Sequence, residues 1–198
     1  MRYWIETYDG EDLKRVVEFE TDEDFKTHFR ICDSLITYME PEANIIEIPE
    51  GVTTLCDEVF WNGDLDLPDV LAKQLVLPDS LTEIGNNAFL MTSFQTISIS
   101  PLNKSFIVKD GALLSVDRKR LIYFLATDSD EEFYVPEGTE SIDGSVLYIN
   151  GKLHIPSSVT NIGEAEFYDC VHIVAPEGSY AIEFAKQKNI EYKIEAND

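Results

Sequence analysis

Three histidines and a large excess of carboxylates are the residues of this 198-residue chain best suited to chemistry. The histidines are His28, His154 and His172, and none has a second His or Cys at the spacing of a zinc motif. His154 and His172 would meet only across neighbouring strands, and two ligands without a defined third do not predict a zinc site. We therefore expect neither a metal nor a cofactor.

Two acidic segments contain oxygen ligands of the kind that calcium prefers, NGDLDLPD at residues 62–69 and DSDEE at residues 128–132. Neither follows the D-x-[DN]-x-[DN]-G…E loop of the EF-hand. Acidic loops of this kind are most often only solvated. We therefore assign no calcium site.

Motifs for nucleophilic, phosphate-binding and zinc-dependent catalysis are also missing from the sequence, which contains no G-x-S-x-G, Walker loop, G-x-G-x-x-G or H-E-x-x-H. A facing pair of carboxylates, as in sugar hydrolysis, has no spacing signature and stays open as a hydrolase alternative. The prediction is that the protein is not an enzyme.

The charge of the chain restricts its partners. Fifteen Lys and Arg against 38 Asp and Glu give a net charge of −23. Such a surface repels phosphate, which argues against nucleic acid and anionic membranes, and it could attract a basic partner. No apolar run is long enough for a signal peptide or a membrane helix, so we expect a cytoplasmic protein, with a surface or secreted location as the alternative if a leader was removed.

The cysteines are sparse and odd in number, so they do not predict a disulfide framework. They are Cys32, Cys56 and Cys170, far apart in the sequence. Cys56 and Cys170 fall beside apolar repeat positions. We interpret both as small apolar core residues.

A recurring pattern organises the rest of the chain. LVLPDSLTEIGNNAF at residues 75–89 recurs as IEIPEGVTTLCDEVF at 46–60, FYVPEGTESIDGSVL at 133–147 and LHIPSSVTNIGEAEF at 153–167. Alternating apolar residues before the proline predict a short strand, and the residues after it favour a turn. Such repeats bury one continuous core only when they stack.

Three regions interrupt or flank the repeats. Residues 1–44 predict a strand, a turn at Asp9-Gly10, a second strand and a helix with Phe25, Phe29 and Cys32 on one face. Residues 101–131 predict a three-stranded meander with turns at 110–111 and 117–119. Residues 171–198 predict a strand, a helix from N-cap Ser179 to about Asn189, and a final strand.

IPEGVTTL, LPDSLTEIGNNAF and IPSSVTNIGEAEFYDC resemble the BspA-like leucine-rich repeat, whose pattern is close to I-P-x-S/G-V-T-x-I-G-x-x-A-F-x-x-C. The resemblance covers about residues 45–195. It implies an irregular solenoid used for binding, often in bacterial surface proteins that adhere to host or microbial partners, and it brings no catalytic residues. The expected fold is an α+β repeat solenoid with an N-terminal ββα cap (1–44), a solenoid (45–198), a meander insert (101–131) and a C-terminal helical cap (171–198).

One residue of each repeat strand is expected to point away from the core and to form a row on the opposite face of the sheet. The row comprises Glu47, Val76, Ser98, Tyr134, His154 and Val174. Solenoids commonly bind partners on such a surface. The predicted function is a non-catalytic protein–protein interaction module, and the alternative is an adhesin-like domain that binds a glycan or a host or matrix component.

Overall fold

The computed structural model describes residues 45–48, 50–60, 73–125, 132–165 and 171–195 in full, and the backbone of residues 2–9, 12–20 and 29–31. Among these residues there are seventeen strands, one α-helix and one 3₁₀ helix (Gly144–Tyr148). The strands and the helix are β1 (Arg2–Asp9), β2 (Asp12–Glu20), β3 (Phe29–Ile31), β4 (Ile45–Glu47), β5 (Val52–Leu55), β6 (Gln74–Leu77), β7 (Glu83–Ile84), β8 (Thr96–Ile99), β9 (Phe106–Lys109), β10 (Ala112–Ser115), β11 (Arg120–Phe124), β12 (Glu132–Tyr134), β13 (Ser141–Ile142), β14 (Gly151–His154), β15 (Asn161–Ile162), β16 (Val171–Ala175), α1 (Tyr180–Lys188) and β17 (Tyr192–Ile194).

Each repeat contributes two short strands, and equivalent strands of successive repeats pair in parallel. The first strands form β4-β6-β8 in one sheet and β12-β14-β16 in another. The second strands form β5-β7 and, farther along the chain, β13-β15. The register confirms the predicted alignment of the repeats, since Leu75 pairs with Ile97 and Leu55 with Ile84.

The apolar repeat positions form the core. The residues before the proline alternate as expected, so that Leu75 and Leu77 are buried and Val76 between them is half-buried. The apolar residues six and eleven positions after the proline, which we call the anchors, are also predicted core residues, and those that the structure describes are buried, including Ile84 and Phe89. Phe167, the last predicted anchor, lies outside the described residues.

A glycine is required where two repeats approach at their second strands. A Cβ on Gly85 would overlap the backbone of Cys56 and Asp57 in the preceding repeat. A Cβ on Gly163 would likewise overlap the backbone at Gly144. The repeat glycine is therefore explained by the close stacking of neighbouring backbones rather than by a special torsion angle.

The predicted meander is confirmed. β9, β10 and β11 pair antiparallel, and left-handed Asp110 and Gly111 (φ 50° and 76°) form the tight turn between the first two. β11 then pairs in parallel with β13, so that it takes the place of a repeat's second strand. The meander therefore continues the second-strand layer while it interrupts the first.

Arg120 joins the repeats before the meander to those after it. In regular repeats the carbonyl of the anchor six residues after the proline accepts a backbone N–H from the next repeat, as Leu55 does from Gly85 and Ile142 does from Gly163. The carbonyl of Ile84 instead accepts Arg120 Nη1 at 2.8 Å. A guanidinium thus replaces the missing backbone donor at the interruption.

Asp143 holds this guanidinium in position. Its Oδ2 accepts Arg120 Nη2 at 2.9 Å, and its Oδ1 accepts both the backbone N–H and the hydroxyl of Ser145. The backbone N–H of Asn87 in an earlier repeat also donates to Oδ1, at 3.1 Å. This explains why Asp stands here in place of the repeat glycine: its carboxylate joins three segments of the chain.

The N-terminal hairpin is confirmed by the antiparallel pairing of β1 with β2, and β1 also pairs antiparallel with β4. The predicted helix is wrong at residues 29–31, which form β3 and pair in parallel with β5. The physical reason is tertiary: β5 offers a backbone edge, and pairing with it outweighs the local helical pattern. Phe25 and Cys32 lie outside the described residues.

The C-terminal helix has both of its predicted ends. The Ser179 hydroxyl accepts the N–H of Ile182, and Asn189 adopts a left-handed conformation (φ 57°) after the last turn. The prediction for Cys56 is wrong, because Cys56 is half-exposed and disulfide-bonded. The other two cysteines of the sequence lie outside the described residues, so the prediction for Cys170 stays untested.

Candidate binding surface

The six residues predicted to form one row divide between two sheets. Glu47, Val76 and Ser98 lie in register on β4, β6 and β8. Tyr134, His154 and Val174 lie in register on β12, β14 and β16. In the described part of the chain no strand pairing joins β8 to β12, because the meander intervenes in the sequence and pairs with β13 instead.

Val174 does not belong to an exposed surface, since only 4% of it is exposed. Its register neighbours are His154 on one side and Lys193 on the other. Val174 is therefore removed from the candidate set as a contact residue.

Tyr134 and His154 form an aromatic pair on the surface of the second sheet. Their rings are stacked, with centroids 4.2 Å apart and planes 13° from parallel. Tyr134 is 61% exposed, although it is a large aromatic residue. β12 is the terminal strand of its sheet as described, so His154 covers the ring of Tyr134 on one face only.

Glu132 orients the phenol of Tyr134. The hydroxyl donates to Glu132 Oε2 at 3.0 Å, and Lys152 Nζ donates to Oε1 of the same carboxylate at 2.6 Å. The Lys152 hydrogen bond, followed by that from Tyr134, holds the pKa of Glu132 below its usual range, and the same carboxylate raises the pKa of Tyr134. Tyr134 is therefore a neutral phenol with a fixed direction.

The two histidines of the second half each lie beside carboxylates. His154 Nδ1 is 3.4 Å from Glu195 Oε1, and its Nε2 is 3.9 Å from Glu132 Oε2. His172 Nε2 is 3.6 Å from Glu191 Oε2. Among the described residues, no group of three His, Cys, Asp or Glu side chains could hold a metal ion.

Sequence reasoning missed Glu132 and Lys152, although a signal for them existed. Each precedes a candidate by two residues, Tyr134 in one strand and His154 in the other, and so shares its face of the sheet. The register pairs Glu132 with Lys152 directly. Extending the predicted row by one step along each strand would have found them. We use the name Tyr134 surface for Glu132, Tyr134, Lys152 and His154.

A cleft of about 240 Å³ lies at the interruption of the repeats. Its lining includes Phe124 from β11 and Phe133 from β12, with Ser93 and Asn150 among its polar members. None of the lining residues that the structure describes is acidic. The described part of the lining therefore offers no facing pair of carboxylates of the kind that the hydrolase alternative requires.

The sequence pattern of the BspA type leucine rich repeat region matches residues 36–110 and 123–189, in six copies. The chain belongs to this family. The match covers more than half of the chain, and the paired strands of the successive repeats agree with it. No curated protein matches this BspA-type chain significantly. In the part of the chain that the structure describes, no helix is long and apolar enough to cross a membrane.

Solved structures of three bacterial proteins are similar to this BspA-type chain. A leucine-rich repeat protein from Eubacterium ventriosum has 24% identity and a TM-score of 0.55 over 66% of this chain and 35% of that one. The pneumococcal vaccine antigen PcpA has 25% identity and a TM-score of 0.50 over 62% and 30%. A leucine rich cell surface protein from Faecalibacterium prausnitzii has 20% identity and a TM-score of 0.44 over 70% and 49%. The chain therefore spans about a third of the length of the first two proteins.

Proposed function

We propose that the chain is a non-catalytic binding module that engages a protein partner through the Tyr134 surface. The observation behind this proposal is a large aromatic residue, 61% exposed, whose phenol and one ring face are held by Glu132 and His154. An ordered, exposed tyrosine loses little conformational entropy on binding and offers both apolar area and a polar end.

The architecture proposed for this module is an open solenoid, with residues 1–44 capping one end and residues 171–198 the other. The antiparallel pairing of β1 with β4 supports the first cap, because β4 belongs to the first repeat. The pairing of β16 with β17, with α1 between them in the chain, supports the second. Caps of this kind protect the terminal repeats from exposing apolar edges.

The pKa shifts of three described carboxylates favour a role other than catalysis. The pKa values of Asp117, Glu132 and Glu164 are lowered, first of all by hydrogen bonds from Ser115, Lys152 and Lys188 respectively. A general acid needs the opposite shift. The cleft supports the same proposal, because none of its described lining residues is acidic.

A second candidate, an adhesin-like domain outside the cytoplasm, is favoured by two observations. Cys56 is disulfide-bonded, and such bonds persist mainly in oxidising compartments. PcpA, to which part of the chain is similar, is a vaccine antigen. We therefore propose a surface or secreted location in preference to a cytoplasmic one. Cys56 would then resist maleimide labelling on intact cells until a reductant is added, and labelling without a reductant would contradict the proposal.

The experiment that tests the binding function compares two double variants that are matched in design. Tyr134→Ala with His154→Ala removes the aromatic pair, whereas Val76→Ala with Ser98→Ala truncates the equivalent register pair on the first sheet. Both should retain the circular dichroism spectrum and melting temperature of the wild type to within a few degrees. Partners captured by the wild type from the source organism should be lost only by the first variant. Equal retention by both variants would refute the proposed surface.

A further inference from the structure

We propose that the exposed ring face of Tyr134 binds a cationic side chain, an arginine or a lysine, of a basic segment in a protein partner. This inference rests on the binding function proposed above and specifies its chemistry. It requires an accessible aromatic face, an electron-rich ring and a field that attracts positive charge. The following observations address these requirements in turn.

The accessible face follows from the stacking geometry. His154 lies on the next strand, β14, and its ring is nearly parallel to that of Tyr134 at 4.2 Å. That contact occupies the face of Tyr134 that is turned toward β14. Because β12 ends the described sheet, the opposite face is directed past the sheet edge, in agreement with an exposure of 61%.

The ring is also electronically suited to a cation. A phenol O–H that donates a hydrogen bond to a carboxylate gains electron density in its ring, which deepens the negative potential over the ring faces. Tyr134 donates to Glu132 in this way at 3.0 Å. Cations bind over such faces within about 6 Å of the ring centroid. The hydrogen bond leaves the phenol neutral but strengthens its attraction for positive charge.

The electrostatic field favours a basic partner over an acidic or a neutral one. The chain has a net charge of −23, and the segment DSDEE, which ends two residues before Tyr134, contains four carboxylates. Lys152, the cation of the Tyr134 surface, is paired with Glu132 at 2.6 Å. Charge of this sign and size steers basic partners toward the protein and raises their association rates.

The test uses a fluorescent peptide of alternating arginine and glycine, with its glutamine–glycine counterpart as a neutral probe. Affinities are measured by anisotropy in about 150 mM salt, where charges more than about 8 Å apart are largely screened. The variants are Tyr134→Leu, Tyr134→Phe and Tyr134→Trp. Tyr192→Leu is the matched control, because Tyr192 is 40% exposed and lies on β17, at the other edge of the same sheet.

The expected order of affinity for the arginine probe is Leu below Phe, Phe below wild type because it lacks the phenol hydrogen bond to Glu132, and Trp above Phe. An exposed cation–π contact corresponds to about a two- to five-fold loss for Tyr134→Leu. Tyr192→Leu should bind like the wild type, and the neutral probe should show no order at all. A flat series, or an equal loss in both leucine variants, would overturn the inference.

The outcomes separate this inference from the function on which it rests. If the Tyr134 and His154 double variant loses its captured partner while the arginine series is flat, the surface binds by other chemistry and only the cation site is refuted. If neutral oligosaccharides on an array bind in a manner that requires Tyr134 while the series is flat, the occupant is a glycan. If the double variant keeps its partner, the proposed function itself is refuted.

Discussion

Replacing Asp143 by Ala should destabilise the protein more than any exposed charge replacement. The carboxylate is almost fully buried, with 1% of the side chain exposed, whereas Arg120 is 31% exposed. Removing it eliminates the ion pair and the acceptor for Ser145 and Asn87. The guanidinium would keep its bonds to the carbonyls of Ile84 and Gly85 but lose its only described counter-charge.

The expected cost is about 3 kcal/mol, the lower end of the range for breaking a buried pair, because water reaches part of the Arg120 side chain. For a chain of this length that corresponds to a fall in melting temperature of about 6–12 °C. Adding Arg120→Met removes the unpaired charge. The double variant should therefore lose at least about 1 kcal/mol less than the sum of the two single variants.

Urea denaturation followed by circular dichroism measures these free energies, and calorimetry measures the melting temperatures. Lys119→Ala is the matched control, since Lys119 and Glu140 form an ion pair at 2.7 Å with both side chains more than half exposed. That substitution should cost less than about 1 kcal/mol. A cost below about 1 kcal/mol for Asp143→Ala, or additivity in the double variant, would refute the view that this network joins the repeats across the meander.

Three further substitutions test local claims. Gly85→Ala should cost roughly 3 kcal/mol in urea denaturation, because the new Cβ overlaps the backbone of the preceding repeat. Gly138→Ala should cost about 1 kcal/mol, because a Cβ at Gly138 meets open space and only the φ of +85° disfavours it. Equal costs for the two variants would contradict this explanation. In an NMR titration Glu132 should ionise below the usual range, and Lys152→Gln should raise its midpoint. Because the folded state favours ionised Glu132, this residue stabilises the fold at pH values above its unfolded pKa, and the stabilisation is lost as pH falls through its folded pKa. A Glu132 midpoint that does not move in Lys152→Gln would show that Lys152 does not cause the shift.

The parts of the fold that were predictable are those determined by local periodicity. Alternating apolar residues specify which face of a short strand is buried, so Leu75, Leu77 and the anchor Ile84 were identified from the sequence. Turn chemistry specified the meander at Asp110 and Gly111, and capping chemistry specified α1. Each of these signals operates within a few residues of the chain.

The errors arose where distant segments meet. β3 was predicted as helix because its pairing with β5 is invisible to a local pattern. The single row of six residues assumed that all first strands are neighbours, whereas the meander separates β8 from β12. Val174 lies in register with Tyr134 and His154 as predicted, but only 4% of it is exposed. The sequence around Arg120 did not indicate its role, because that role depends on the carbonyl of Ile84, which accepts the guanidinium in place of a backbone N–H from a following repeat.

The disulfide of Cys56 shows what register adds to a cysteine count. Ile31 at the end of β3 pairs with Leu55 at the end of β5, and the next residues in the sequence are Cys32 and Cys56. Paired positions on adjacent strands are about 5 Å apart, within the reach of a disulfide. Cys170 instead precedes Val171 of β16, which pairs with β14 in a sheet that does not contain β5.

We therefore predict that Cys56 is joined to Cys32, which would tie the N-terminal region to the first repeat. A peptide map without reductant should yield a linked pair containing these two cysteines, with Cys170 recovered as a free thiol. Cys32→Ser should expose Cys56 to alkylation, whereas Cys170→Ser should not. Recovery of a pair containing Cys56 and Cys170 would mean that the register of β3 with β5 does not extend to the cysteines. Loss of the bond should also destabilise the chain by roughly 2–4 kcal/mol, because the crosslink restricts the unfolded state.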